Sequence, residues 1–453
     1  MTCGIKIWST PSLPWYDFLE ERTAPMTIAT DVNNPPTCRR ALEGLRNGVP
    51  NEAAVRILGC HQTQTESRFH DLLAQAMNVD RPPAGALGML VAGDFGTGKS
   101  HLLSYLEHQA LLQGFVCSRL TISKETPFYN LDKVFKSAVD NGRMPDGTGQ
   151  LMEELGLKLK NSSGAYARFF QWANSERNGL HRIFPATLMV HERVDDLELV
   201  SDIRSFWSGE RIKVSTIKDG LRQIGQLPNY PFKAPKVKEL PPQRLRFATE
   251  LIKGAGYHGW VILLDELELV GSYTRPQRAR SYAELARWLG KVADEACPGL
   301  VIVGTVTSDF TAAILDDAPG KGDRHKATQG LHDRGEDAVA ARAETGMRIL
   351  ERETTLLTAP TDEDVNATIE KLREIYSIAY NWDAPQKERK AGGAGFQGRM
   401  RYKVRSAINE WDLLRLYPNS HPETEGTEFS ARYEEVPELE QETNDQGEEG
   451  ANR

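Results

Sequence analysis

Cysteine is scarce in this chain. The five present (Cys3, Cys38, Cys60, Cys117 and Cys297) lie scattered, with no C-x-x-C pair among them. That spacing excludes a disulfide framework and suits inert thiols in a reducing compartment. Long apolar runs are missing too. None approaches the roughly 18–20 residues that cross a bilayer, and the first residues lack the basic-then-apolar layout of a secretory signal. A cytoplasmic protein with no membrane contact is therefore expected. The histidines form no metal-like cluster. There is no repeat period, zinc spacing, RNP motif or helix-turn-helix to find. A net charge of −8 excludes a polycation built to coat nucleic acid.

What is present is ordinary globular composition, 40% hydrophobic and 26% charged over 453 residues. That is length enough for a large core with an accessory helical unit. Residues 419–453 are dominated by Glu and poor in large apolar side chains. Such a segment cannot offset its ordering entropy, so a disordered acidic tail is expected. Residues 1–36, with the prolines of STPSLPW and no sustained period, read as a disordered extension, and Met26 reads as a natural start.

Helical periodicity across 37–80 predicts a lead-in of short helices, with Asn51 placed to cap one. RPPAG (81–85) then breaks the pattern ahead of an apolar strand at 87–92. KSHLLSYLEHQALLQG reads as a helix ending at Gly114, and FVCSRLTIS (115–123) as a second strand, which makes a right-handed βαβ unit. A helical insert fills about 140–256. WVILLDELELV (260–270) and GLVIVGTVTS (299–308) are buried strands around the helix QRARSYAELARWLGKVADEA (277–296), and RETTLLTAP (352–360) is the last strand. DDAPGKGDRHKATQG (316–330) reads as a mobile polar loop. The core thus spans 81–360. Residues 361–418 form a helical lid, opened by Thr361 and Asp364 in capping-box spacing and closed by the basic amphipathic helix RMRYKVRSAINEWDLLRL.

The chemistry concentrates in GDFGTGKS, residues 93–100. Gly93-x4-Gly98-Lys99-Ser100 is the P-loop pattern, set between an apolar strand and a helix. Its glycines let the backbone N–H groups of Gly93, Asp94, Phe95, Gly96, Thr97 and Gly98 wrap phosphate oxygens. Lys99 reaches the β- and γ-phosphates of ATP, the Ser100 hydroxyl ligates Mg²⁺, and the helix N-terminus adds its dipole. His101, next in line, reads as packing or a hydrogen-bond partner beside the nucleotide. VILLDE supplies the matching acids. Asp265 holds the Mg²⁺ hydration shell, and Glu266 orients the attacking water. The extra acid after Asp265 points to the branch of P-loop ATPases with an added strand between the two motifs. Glu268 either assists or pairs locally.

Thr305, Thr307 and Ser308 end the next strand, where a polar group contacts the γ-phosphate, and Thr307 is favoured. An arginine is needed for transition-state charge. Arg275, Arg278 and Arg280 follow the acids. Arg348 and Arg352 precede the last strand, the place for a finger offered to a neighbouring copy. Arg399, Arg401 and Arg405 on the lid suit a second sensor. DNA has thin support, in Lys321, Arg324 and Lys326 of the polar loop and in Lys403 on the lid.

Several stretches together carry a family resemblance. LRNGVPNEAAVRILG, GDFGTGKSHLL, SKETPFYNLDKVF, ILLDELELVGSYTRPQRARSYAELARWLG, GMRILERE and RYKVRSAINEWDLLRL resemble the ATP-binding proteins of BREX-type bacteriophage-exclusion systems, in particular the stand-alone BrxD-like kind. The likeness runs from about residue 38 to 417. It implies a bacterial cytosolic ATPase of a defence locus, with Lys99, Ser100, Asp265 and Glu266 as its nucleotide and Mg²⁺ residues and other proteins of the locus as partners. Taken together, an α/β P-loop NTPase of the ASCE/AAA+-like type is expected. It has a mostly parallel sheet flanked by helices, a helical insert and a C-terminal helical lid, hydrolyses ATP and assembles into homo-oligomers on binding it. The competing reading is a nucleotide-gated assembly or DNA-binding switch with little hydrolysis.

Overall fold

A computed structural model describes residues 34–48, 51–78, 86–94, 96–147, 149–159, 163–292, 297–316, 320–386 and 400–418. Almost all of the expected N-terminal extension, the RPPAG breaker, Phe95, Arg399 and the acidic tail lie outside the described residues.

Three helices lead in: α1 (Pro35–Arg46), α2 (Glu52–Leu58) and α3 (Thr63–Met77). Strand β1 (Leu87–Ala92), helix α4 (Lys99–Leu112) and strand β2 (Val116–Thr121) follow. The insert is helical apart from a short strand. Beginning after α5 (Leu131–Asp140), it runs through β3 (Gly142–Arg143), α6 (Leu151–Lys158), α7 (Gly164–Asn174), α8 (Ile183–Arg193), α9 (Leu197–Trp207), α10 (Val214–Gln223) and α11 (Leu240–Gly254). The chain returns to the sheet with β4 (Trp260–Asp265), α12 (Arg275–Trp288) and β5 (Leu300–Val306). Short α13 (Asp323–Lys326) and α14 (Gln329–His332) precede α15 (Asp337–Arg352), β6 (Thr354–Leu356), α16 (Asp362–Tyr380) and α17 (Met400–Leu416).

The sheet has the order β3-β2-β4-β5-β1-β6, parallel except for β3 at one edge. Strand β5 therefore stands between β1 and β4. Both faces are covered, which is why β4 and β5 are mainly apolar and buried throughout. Their side chains still alternate. Val261, Leu263, Val301 and Val303 join Met89 and Val91 beneath α3 and α4, while Ile262, Leu264, Leu300 and Ile302 face the larger core of α5, α11, α12 and α15. Helices α12 and α15 pack backbone to backbone. A Cβ on Gly346 would stand 1.9 Å from the Tyr282 carbonyl oxygen, so only glycine fits there.

The strands predicted at 87–92, 115–123 and 299–308 appear within a residue or two, whereas that predicted at 260–270 ends at Asp265, where a helical turn takes over, and that predicted at 352–360 is only Thr354–Leu356. Helix α12 is shorter than the predicted 277–296, because Gly290 turns the chain with a φ of +69°. The first and last helices share one apolar cluster. Cys38, Leu42, Ala54 and Leu58 of α1 and α2 pack with Leu372, Tyr376, Ile408 and Trp411 of α16 and α17. Arg46 reaches Asp412 at 2.8 Å, and Tyr376 donates to the same carboxylate at 2.7 Å. The segments joining these helices to the sheet are tied as well. The Gln62 amide donates to the Thr358 carbonyl at 2.9 Å and accepts from its N–H at 3.0 Å.

Of the segment 316–330, where a loose loop is expected, residues 317–319 lie outside the described residues, and residues 320–330 are tied to the fold. Asp323 is wholly buried and accepts two hydrogen bonds from Arg278, and Lys321 donates to the Gly271 carbonyl at 3.0 Å. Arg324 pairs with Asp316 at 2.8 Å and Glu351 at 2.7 Å. Lys403 lies 3.8 Å from the exposed Asp362.

Candidate nucleotide-binding site

Strand β1 ends at the top of the sheet and hands the chain to Gly93, whose N–H donates to Val306 of β5. A Cβ on Gly93 would stand 2.7 Å from Thr97 Oγ1 and 3.0 Å from Leu357. Gly96 and Gly98 take φ values of +81° and +105°, open to glycine and strained for other residues. Thr97 closes the turn, its N–H and hydroxyl both donating to the Asp94 carbonyl, at 3.3 and 2.8 Å. The Asp94 carboxylate accepts from the Ser308 hydroxyl. The turn delivers the N-terminus of α4 with nothing within 4 Å of a Cβ on Gly98, which leaves room for an anion over the helix dipole.

Lys99 is 8% exposed. Its ammonium donates to the Gly93 carbonyl at 2.7 Å and lies 3.5 Å from Glu268 Oε1. Ser100 is half-buried on the next step of α4. Asp265, at the end of β4, is buried and bonded on both oxygens. Oδ1 accepts from the Thr305 hydroxyl at 2.9 Å and the Glu266 N–H at 3.2 Å, and Oδ2 accepts from Arg119 at 3.0 Å. The other arm of Arg119 donates to Ser104 Oγ at 2.5 Å, and Ser104 bonds back to the Ser100 carbonyl at 3.0 Å. One guanidinium thus spans from α4 to the end of β4.

Glu266 sits in the left-handed region at φ +60°, ψ +38°, an uncommon conformation for a non-glycine residue. Burial and the neighbouring Asp265 push its pKa up, against the pull of Lys99 and Arg401. The short helical turn 267–272 follows and brings Glu268 back to Lys99. Burial also raises the Glu268 pKa, with Lys99 opposing, and its Oε2 has no hydrogen-bond partner among the described residues.

The two motifs therefore meet. Lys99, Asp265, Glu266 and Glu268 surround one spot, bracketed by Thr305 and Arg119. Thr307 is buried two residues beyond Thr305, and its carbonyl accepts from Phe310 at 3.3 Å. Arg348 is exposed on α15, where it donates to Thr345 at 3.0 Å, and no described contact joins it to Lys99 or Glu266. Among the other candidate fingers, Arg278 is 1% exposed and locked to Asp323, and Arg280 pairs with Glu336 at 3.2 Å. Arg275 is exposed.

A cleft of about 860 Å³, open mouth included, continues from the loop. Gly96, Thr97 and Gly98 form its floor, Leu58, Cys60 and His61 one wall, and Met400, Arg401 and Val404 of α17 the other. Its lining is mainly apolar, as suits the flat ring of a ligand. His101 also lines the cleft, bonded to the Gly59 carbonyl at 2.7 Å, and burial lowers its pKa against the pull of that bond. Sequence reasoning missed Arg119 and this cleft. A lone arginine inside the apolar strand VCSRLT was the available signal for Arg119, and the cleft had none because it joins segments from both ends of the chain.

A family model described as BREX system ATP-binding protein BrxC/D matches residues 42–166 and 242–392. Together the two stretches exceed half of the chain, and they contain residues 93–100 and Asp265 to Glu268. The unmatched stretch between them falls inside the helical insert. No curated protein and no solved structure matches the chain.

Proposed function

The chain belongs to the family of BREX system ATP-binding proteins BrxC/D, and from that premise we propose that it is a Mg²⁺-dependent ATP hydrolase of the ASCE/AAA+ type. ATP binding, and other proteins of the BREX system as partners, come with membership of the family. Hydrolysis rests on one observation above the rest. The P-loop lysine and three carboxylates, from segments about 165 residues apart, face the same small volume, with Lys99 3.5 Å from Glu268. The strand between β1 and β4 supports the ASCE type.

The residues fit the groups they would hold. The open ground over Gly98 suits the phosphates, and the cleft between α2 and α17 suits the base and sugar. Ser100 and Asp265 would hold Mg²⁺, Asp265 through water because its oxygens already accept three hydrogen bonds. When bound, the metal neutralises charge on the β- and γ-phosphates. Lys99 adds a fixed positive charge to the same oxygens. Glu266, with its pKa raised, is a better proton acceptor than an exposed carboxylate and orients the water for in-line attack. Thr307 is assigned to sensing the γ-phosphate.

Arg401 is the lid cation whose charge reaches Glu266, and it is assigned the second-sensor role. Arg348, solvent-facing on α15, is assigned as a finger for a neighbouring copy, which makes the active form a homo-oligomer. In this reading residues 81–360 are the ATPase core, the insert at about 140–256 couples to partners, and 361–418 form the lid. DNA is proposed as a further partner, and the cytoplasm is the proposed compartment. No helix among the described residues is long and apolar enough to cross a membrane.

Phosphate release from ATP, run beside sizing chromatography with and without ATP and duplex DNA, tests the proposal. It predicts Mg²⁺-dependent release that rises with assembly. A chain that binds ATP and assembles, yet releases no phosphate above the K99A background, is a nucleotide-gated module instead.

A further inference from the structure

Lys99 shares its buried position with Glu268. Glu268 is as enclosed as Lys99, each side chain 9% exposed, and the ammonium stands 3.5 Å from Oε1. Glu268 Oε2 is buried with no hydrogen-bond partner among the described residues. A buried carboxylate oxygen left unpaired is costly, and native proteins keep few of them. The left-handed turn at Glu266 and the helical turn after it hold Glu268 in this position. The group is built into the turn after β4 and stands beside the lysine that the P-loop pattern assigns to phosphate.

A triphosphate needs that same ammonium. Lysine has three donors, and one already serves the Gly93 carbonyl. Several negative phosphate charges beside a buried carboxylate repel it strongly at low local dielectric. Lys99 must then share or leave Glu268 when it meets the β-phosphate. Asp265 and Glu266 add to the negative charge around Glu268.

We propose that Glu268 is the internal counterion of Lys99 and competes with bound phosphate for it, thereby setting nucleotide affinity. Glu268 is a positioning residue that acts through Lys99. The inference deepens the P-loop reading above and rests on it.

Calorimetric titration of the full chain with a non-hydrolysable ATP analogue, ADP and AMP tests it. Glu268→Gln keeps the shape and removes the charge. It binds the ATP analogue and ADP about tenfold more tightly than wild type. AMP, which lacks the β-phosphate, binds equally to both. Glu268→Asp keeps the charge and binds the ATP analogue within about twofold of wild type. A folded Glu268→Gln variant that binds the ATP analogue no more tightly, or gains as much for AMP, overturns the inference. Should that variant not fold, the wild-type complex decides. Lys99 Nζ is then expected beyond about 4 Å from Glu268, and an unchanged contact with phosphate bound overturns the inference. A wild type that binds no nucleotide defeats the P-loop reading as well. A wild type that binds, with Lys99→Ala not binding, leaves that reading standing whatever Glu268 does.

Discussion

Arg278 and Asp323 meet in the interior much as Lys99 and Glu268 do, but the two pairs are finished differently. Arg278 makes two bonds to the Asp323 carboxylate, at 2.6 and 2.8 Å, and a third at 2.6 Å to the Tyr273 carbonyl. Tyr282 adds its hydroxyl to the same carboxylate at 2.7 Å. Lys99 and Glu268 stand 3.5 Å apart, with one oxygen unpaired. A pair that saturates its partners ties elements together, here α12 to the segment after β5. A pair left incomplete has capacity for something else, and it lies where the nucleotide-binding pattern is. The lesson is to weigh a buried charge by what remains unsatisfied around it.

Variants can break this contrast, and the largest effect falls on the incomplete pair. Lys99→Ala is expected to lower ATP turnover by about 10³-fold or more, while the melting temperature falls less than in Arg278→Ala. Phosphate release and a thermal melt on the same preparation check both halves. Next, Arg278→Ala or Asp323→Ala should cost about 3–5 kcal/mol of stability, because each leaves a buried charge alone. Urea unfolding measures it, and replacing both with apolar residues should recover most of the loss. A single variant as stable as wild type would remove the structural half of the comparison.

Arg119→Gln is expected to be intermediate. It leaves Asp265 in place but releases its orientation, lowering turnover about 10–100-fold and raising the Mg²⁺ concentration needed. A metal titration of phosphate release reads this, and an unchanged curve contradicts it. The pH profile sharpens the role of Glu266. Its pKa is raised by burial and Asp265, and the water-orienting form is the ionised one. Turnover therefore rises with pH through a value above the ordinary glutamate range near 4.3. A limb at or below that range argues against Glu266 as the base. Smallest of all, Arg324→Ala removes only half-exposed pairs and should change stability by no more than about 1 kcal/mol.

Much of the site was legible because phosphate binding needs a contiguous run. Glycines, lysine and serine must follow one another for loop and helix to share an anion, so residues 93–100 announce themselves, as does an acid pair at the end of an apolar strand. Strands β4 and β5 were equally plain, since burial on both faces leaves runs rich in Val, Ile and Leu. Arg119 was not legible. Its bond to Asp265 depends on β2 lying beside β4, although 146 positions separate the two residues. The polar segment 316–330 misled for the same reason. Its charges look solvated until Arg278, 45 positions earlier, is seen to enclose Asp323. The lid and lead-in read as separate helical stretches because their shared apolar cluster joins opposite ends of the chain.

The most direct test of hydrolysis is Glu266→Gln, assayed for ATP binding and phosphate release together. The account predicts a variant that holds ATP about as tightly as wild type and releases phosphate about 10²–10⁴-fold more slowly. Release at the wild-type rate would contradict it.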